Sequence, residues 1–252
     1  MIKKILISQP QPQGKNPYSQ IEEKFNIKID FKKFFGIEPI DAKDFKKQKI
    51  NIEDFSGIIF TSRTAIDHFF RLMEEAKITV PNSMKYFCMN EKIALYLQKY
   101  IVYRKRKIFP ANSTDDSLME ILQKFKDEAL LLPGSEGYKS SLYNKLKKNK
   151  FNITLAGIYR NVSADLKDID IYSYDMLVFF SHWGVKALLD NFPDFKEKQD
   201  GILIASYGNE TAKALKKAGL NIDIKFNPKK HRSIQDAITD FIESKTKAEK
   251  DA

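Results

Sequence analysis

An apolar run that closes on a hydroxyl residue and then passes into a helical pattern occurs twice in this chain. Gly57-Ile58-Ile59-Phe60-Thr61-Ser62 leads into Ala65-Ile66-Asp67-His68-Phe69-Phe70, and Leu177-Val178-Phe179-Phe180-Ser181 leads into Gly184-Val185-Lys186-Ala187-Leu188-Leu189. Ser62 falls on Ser181, an offset of 119 residues (62 to 181). A second echo sets Asn90-Glu91-Lys92-Ile93-Ala94 against Gly208-Asn209-Glu210-Thr211-Ala212, with an offset of 118 (94 to 212). Two echoes at nearly one offset describe a duplicated strand–helix unit. Each places hydroxyls or open backbone N–H groups where a strand ends and a helix starts. In open α/β sheets that edge is where ligands bind. Two such edges facing each other would make one cleft.

The rest of the chain keeps the same alternation, which reads as βαβ units and parallel sheet. Strands are expected at Lys3–Ser8, Ile27–Phe31, Ile58–Thr61, Met84–Cys88, Ile101–Tyr103, Ala129–Leu132 and Phe151–Thr154. Further strands follow at Met176–Phe180, Ile202–Ser206 and Ile222–Phe226. Helices are expected at 16–25, 64–76, 115–125, 137–149 and 234–242, with others after the strands ending at Cys88, Phe180 and Ser206. Thr114 or Ser113 suits an N-cap, and Gly219 suits a helix end. The segment 41–154 holds more strands than 162–252, and the N-terminal strands would supply the difference. The expected organisation is therefore a discontinuous α/β domain (1–33 plus 162–252) with a continuous one (41–154) inserted. The crossing segments 34–40 and 155–161 alternate well enough to be hinge strands, and 244–252 is a polar tail.

Composition narrows the function. The chain has 252 residues, 42% of them hydrophobic, and a net charge of +10. It has no apolar run long enough to span a membrane. Its N-terminal apolar stretch is too short for a signal peptide and is ended by Gln9-Pro10-Gln11-Pro12. The single cysteine, Cys88, suits a reducing cytoplasm. Basic clusters such as Arg104-Lys105-Arg106-Lys107 and Lys229-Lys230-His231-Arg232 are scattered and lack any nucleic-acid-binding motif, so solvated faces are the expectation. His68, His182 and His231 have no metal-ligand spacing. Pro133-Gly134-Ser135-Glu136-Gly137-Tyr138-Lys139-Ser140 lacks the Gly-Lys-Ser core of a phosphate loop, but it suits a carboxylate.

Three motifs in order carry a resemblance. Phe60-Thr61-Ser62-Arg63-Thr64-Ala65-Ile66, Tyr159-Arg160 at the second crossing, and Tyr207-Gly208-Asn209-Glu210-Thr211-Ala212 resemble those of the uroporphyrinogen-III synthase family. Ser8-Gln9-Pro10-Gln11-Pro12 and 60–72 resemble its bacteroidete branch. The resemblance implies two flavodoxin-like parallel-sheet domains, one discontinuous, joined by a two-stranded β-ladder. It implies closure of hydroxymethylbilane to uroporphyrinogen III, with loss of water and inversion of the D ring, by a cofactor-free lyase of haem biosynthesis.

The residues it implies are Tyr159 as the catalytic donor, and Gln9, Thr61, Ser62, Arg63, Asn90, Gly134, Ser135, Ser181, His182, Gly208 and Thr211 around the substrate. No metal, nucleic acid or membrane is expected. The protein would act as a cytoplasmic monomer, with substrate handed over by hydroxymethylbilane synthase. There are departures. Asn90-Glu91-Lys92-Ile93-Ala94 lacks both the Gly and the Thr of the family's Gly-x-x-Thr-Ala, and Ser8-Gln9-Pro10 replaces a Thr-Arg-Pro opening. The alternative is a non-catalytic two-domain module that binds a small polyanion and has no need of Tyr159. Ser62 and Ser181 also have a bland use as helix caps.

Overall fold

The structure is a computed structural model and describes residues 2–251, with backbone alone for 248–251. In chain order the elements begin with β1 (Lys4–Ile7), α1 (Ser19–Phe25), β2 (Lys28–Phe31), β3 (Phe35–Pro39), α2 (Ala42–Lys47), β4 (Gly57–Phe60) and α3 (Arg63–Ala76). Then come β5 (Lys85–Cys88), α4 (Glu91–Tyr96), β6 (Ile108–Pro110), α5 (Asp115–Leu122), β7 (Leu130–Ser135), α6 (Ser141–Lys148) and β8 (Ile153–Ser163). The chain closes with β9 (Met176–Phe179), α7 (His182–Asn191), β10 (Leu203–Ser206), α8 (Asn209–Lys217), β11 (Ile224–Lys225) and α9 (Ile234–Asp251). No helix among the described residues is long and apolar enough to cross a membrane.

The chain forms two compact units, one of residues 1–36 with 162–252 and one of 37–161. The first unit holds a sheet of order β11-β10-β9-β1-β2, in which neighbouring strands run parallel. Alternation along the strands feeds both faces. Ile5, Ile7 and Val178 pack with Tyr18, Ile21 and Ile238 under α1 and α9. Leu6, Leu177 and Phe179 pack with Val185, Leu188 and Leu215 under α7 and α8. The order of the strands reverses between β1 and β9, the position where such sheets open a crevice at their carboxyl edge.

The second unit has the order β3-β8-β7-β4-β5-β6, and the pairings from β8 to β6 are parallel. Ile58, Phe60, Tyr86 and Cys88 meet α3 and α4 through Ile66, Phe69 and Ala94. Ile59, Phe87 and Leu130 meet α5 and α6 through Leu118, Leu122 and Leu146 on the other face. Here the reversal lies between β4 and β7. Burial pushes the Cys88 thiol up to about 12 and leaves it inert.

Several expected elements are displaced. The strand expected at 101–103 forms instead at Ile108–Pro110, because Val102 is 78% exposed while Ile108 is buried on Tyr86. The strand expected to stop at Leu132 runs on through Pro133 and Gly134 to Ser135, with an irregularity between the last two. The closing strand at 151–154 and the crossing segment at 155–161 are one strand, β8. The helix expected from Gly137 waits for the Ser140 cap, whose Oγ accepts from the Tyr143 N–H. Residues 244–251, expected as a polar tail, continue α9, and Ala252 lies outside the described residues. Helix α2, capped by Asp41, has no counterpart among the expected elements.

Candidate active site

In the second unit the carboxyl ends of β4, β5 and β7 and the middle of β8 bring predicted residues to one edge. Ser62 follows β4 in extended backbone (φ −154°, ψ 160°), and its Oγ accepts from the Ala65 N–H at 3.1 Å. That bond caps α3, so the structural use is real. Ser62 also neighbours the phenol of Tyr159, whose pKa it pulls down.

Tyr159 is half-buried on β8, and its register partner on β7 is Ser135. Burial pushes its phenol above the ordinary tyrosine range, and the neighbouring Ser62 hydroxyl offsets only part of that. The group therefore stays protonated at neutral pH and is a hydrogen-bond donor rather than a base. The imidazole of His68 lies against the ring, with centroids 5.2 Å apart. Burial, then the nearby Arg71 charge, hold His68 below the ordinary histidine range against the opposing pull of Asp67. The ring against the phenol is thus held toward its neutral form.

The neighbouring residues are tied more firmly. Ser135 is 5% exposed, and its Oγ accepts from Asn161 Nδ2 at 2.8 Å. The Glu136 N–H donates to the Tyr159 carbonyl at 2.8 Å. Arg160, next along β8, bridges Glu136 and Asp44. These contacts fix the backbone on either side of Tyr159. Thr61 is partly exposed between β4 and the Ser62 cap, and Gly134 lies within β7. Arg63 is exposed with its guanidinium 5.1 Å from the Tyr96 ring. The Tyr96 hydroxyl in turn donates to Asp67. Asn90 caps α4, its Oδ1 accepting from the Ile93 N–H at 3.0 Å.

The first unit repeats the edge with different chemistry. Ser181 has nearly the backbone of Ser62 (φ −152°, ψ 155°), and its Oγ accepts from the Gly184 N–H at 3.2 Å. His182 opens α7 with its ring against Trp183, and burial holds it below the ordinary histidine range. Gly208 sits at φ 84°, ψ 154°, and α8 has no side-chain cap. Its first N–H groups are therefore open to an anion. Thr211 is 2% exposed in the first turn of α8, so its hydroxyl is turned into the unit. Gln9 lines a cavity of about 280 Å³ with Phe31, Phe180, Tyr207 and Arg232.

Residues 34–226 match the family described as uroporphyrinogen-III synthase HemD. The chain belongs to the uroporphyrinogen-III synthase family. Among solved structures it is similar to a mutant uroporphyrinogen III synthase from the extremely thermophilic bacterium Thermus thermophilus. The TM-score is 0.61 at 12% identity, covering 97% of this chain and 99% of that one. It is also similar to uroporphyrinogen-III synthetase from Helicobacter pylori 26695, with a TM-score of 0.55 at 19% identity over 88% of this chain and 92% of that one. At such identities these likenesses speak to the fold. Comparison with curated proteins gives no match.

Against this family background, the structure gathers Ser62, Ser135 and Tyr159 in the second unit. His68 joins them, a residue that sequence spacing tests only as a metal ligand and not as a ring packed on a tyrosine. In the first unit the buried hydroxyls of Ser8 and Ser206, at the ends of β1 and β10, have no hydrogen-bond partner among the described residues. The signal for both is a serine closing an apolar strand beside the reversal of strand order, or one strand from it.

Proposed function

We propose that this chain is a uroporphyrinogen-III synthase that closes hydroxymethylbilane into uroporphyrinogen III in haem biosynthesis. Family membership supplies the reaction. The observation in the structure that carries it is the protonated, half-buried Tyr159 held beside Ser62 and His68. The substrate is a linear tetrapyrrole with carboxylates on every ring and a hydroxymethyl group at one end.

As a lyase, the protein needs to help the C–O bond of that group break. Tyr159 gives its proton to the leaving oxygen, which departs as water and leaves an electrophilic azafulvenium carbon, and the proton released at the last step restores the phenol. Unaided, the open α-carbon of the D ring attacks and gives the non-inverted isomer. Attack instead by the substituted carbon gives a spiro intermediate, which reopens and recloses with the D ring inverted and loses a proton. A general acid of this kind contributes about 10²–10⁴-fold. The remaining demand is orientation of the D ring, which positioned donors meet.

The α8 N-terminus at Gly208 and the hydroxyls of Ser181 and Ser62 offer such donors to the substrate carboxylates. Arg63, Thr61, Asn90, Gln9 and His182 complete the proposed contacts, with Gly134 and Thr211 shaping the backbone beside them. In this reading the protein works as a monomer in the cytoplasm and receives its unstable substrate from hydroxymethylbilane synthase. A coupled assay tests the function: hydroxymethylbilane is generated in situ, products are oxidised, and isomers I and III are separated by chromatography. Isomer III in excess over the protein-free control is the expected result. Isomer I alone, from folded protein, would reject the enzyme and favour the anion-binding module.

A further inference from the structure

A cavity of about 610 Å³ opens in the second unit between α3 and the segment that joins α4 to β6. Its floor is apolar, formed by Met73, Ile78, Met84, Tyr86 and Ile108. Met84, Tyr86 and Ile108 stand at the beginnings of β5 and β6. The cavity therefore lies toward the amino ends of these strands, away from the carboxyl ends that carry Ser62, Asn90 and Ser135.

The rim is cationic. Arg71 uses its terminal nitrogens on Glu75 and the Ile40 carbonyl, but its Nε is buried with no partner among the described residues. Lys107 donates to the Asn82 carbonyl, a neutral group that leaves its charge uncompensated. Arg104 is exposed, and its side chain has no ion-pair or hydrogen-bond partner among the described residues. The acids nearby do not cancel these charges. Asp67 is already held by Tyr96, Tyr100 and Lys99, and Glu74 is an exposed single carboxylate. Beside the rim, Val102 is left 78% exposed, so apolar surface and free cations occur together.

We propose that this cavity binds a small organic anion with an apolar body and one acidic head group. The floor takes the body, and Arg104 and Lys107 take the head. The volume falls in the range of about 300–1,000 Å³ usual for small-molecule sites, and an inorganic ion would leave most of it unfilled. Such a site also gives a use to the basic run Arg104-Lys105-Arg106-Lys107, which cyclisation does not employ.

Titration of the full chain with anilinonaphthalene sulfonate, an apolar body with one sulfonate, tests this by fluorescence. Saturable binding is expected, weakened about tenfold by Arg104→Glu through loss and reversal of one charge contact. Ile78→Trp, which fills the floor, should abolish it. Phenylnaphthylamine, a neutral analogue with the same rings, should bind at least about tenfold more weakly than the sulfonate. Arg104 is exposed, so its variant folds and remains decisive even if Ile78→Trp does not. Binding unchanged by Arg104→Glu, or equal affinity for the neutral analogue, would overturn the proposal.

Discussion

Ser62 and Ser181 begin equivalent helices with nearly the same backbone angles and the same cap bond, yet their surroundings differ. Ser62 also neighbours the phenol of Tyr159 and pulls its pKa down, with His68 packed against that ring. The other echo diverges too. Asn90 caps its own helix with its side chain, whereas Gly208 leaves the first N–H groups of α8 open. On the proposed reading the duplicated frame has two duties: the edge near Tyr159 would offer a proton donor, and the edge at Gly208 would offer backbone to an anion. One repeat can keep its geometry while its chemistry drifts, because a cap needs only an oxygen in the right place.

This contrast can be broken in order of effect. Gly208→Ala should be the costliest change. Its Cβ meets no neighbour, but a positive φ with extended ψ strains any side chain by about 1–3 kcal/mol. Asn90→Gly, at the matching position, should cost only a few tenths of a kcal/mol, since glycine is itself a fair N-cap. Chemical denaturation of both variants checks the difference.

Ser62→Ala and Ser181→Ala should each lose about 1 kcal/mol as caps are removed. Only Ser62→Ala should also lower kcat, by about tenfold, since only Ser62 neighbours the donor. Equal kcat for the two variants would erase the distinction.

The smallest effect is on pH. His68 and His182 both sit below the ordinary histidine value, chiefly through burial. As pH falls below about 6.5 the unfolded chain takes up protons that the folded one refuses, so stability drops. Each contribution is present above that pH and is lost as pH falls through the depressed value. His68→Gln should flatten the fall in Tm between about pH 7 and 5, and His182→Gln should do so to a similar degree.

The α/β frame was legible because a buried parallel strand leaves an apolar run and a helix leaves a spaced stripe. The repeat even marked Ser62 and Ser181 as helix starts. Short edge elements were not legible. Three apolar residues at 101–103 look as good as Ile108–Pro110 until the sheet chooses which to bury, and α2 offers too few residues for a period to show. Pro133 and Gly134 read as a loop, yet β7 passes through them, since pairing with β8 outweighs local preference. At the site, residues marked by a motif could be named in advance. His68 could not, because its partner Tyr159 is distant in sequence and only the packing of α3 beside β8 joins them. Nor could burial of Ser135 and Thr211 be foreseen, since a hydroxyl in a motif does not reveal which way it faces.

If Tyr159 is the proton donor of this reaction, its phenylalanine variant should lose turnover while keeping its fold. Initial rates of uroporphyrinogen III formation should be measured for wild type and Tyr159→Phe, with circular dichroism to confirm that both are folded. Turnover should fall by about a hundredfold or more, with isomer I taking over the product. A rate within about twofold of wild type would contradict that role for Tyr159, being far less than a lost general acid should cost.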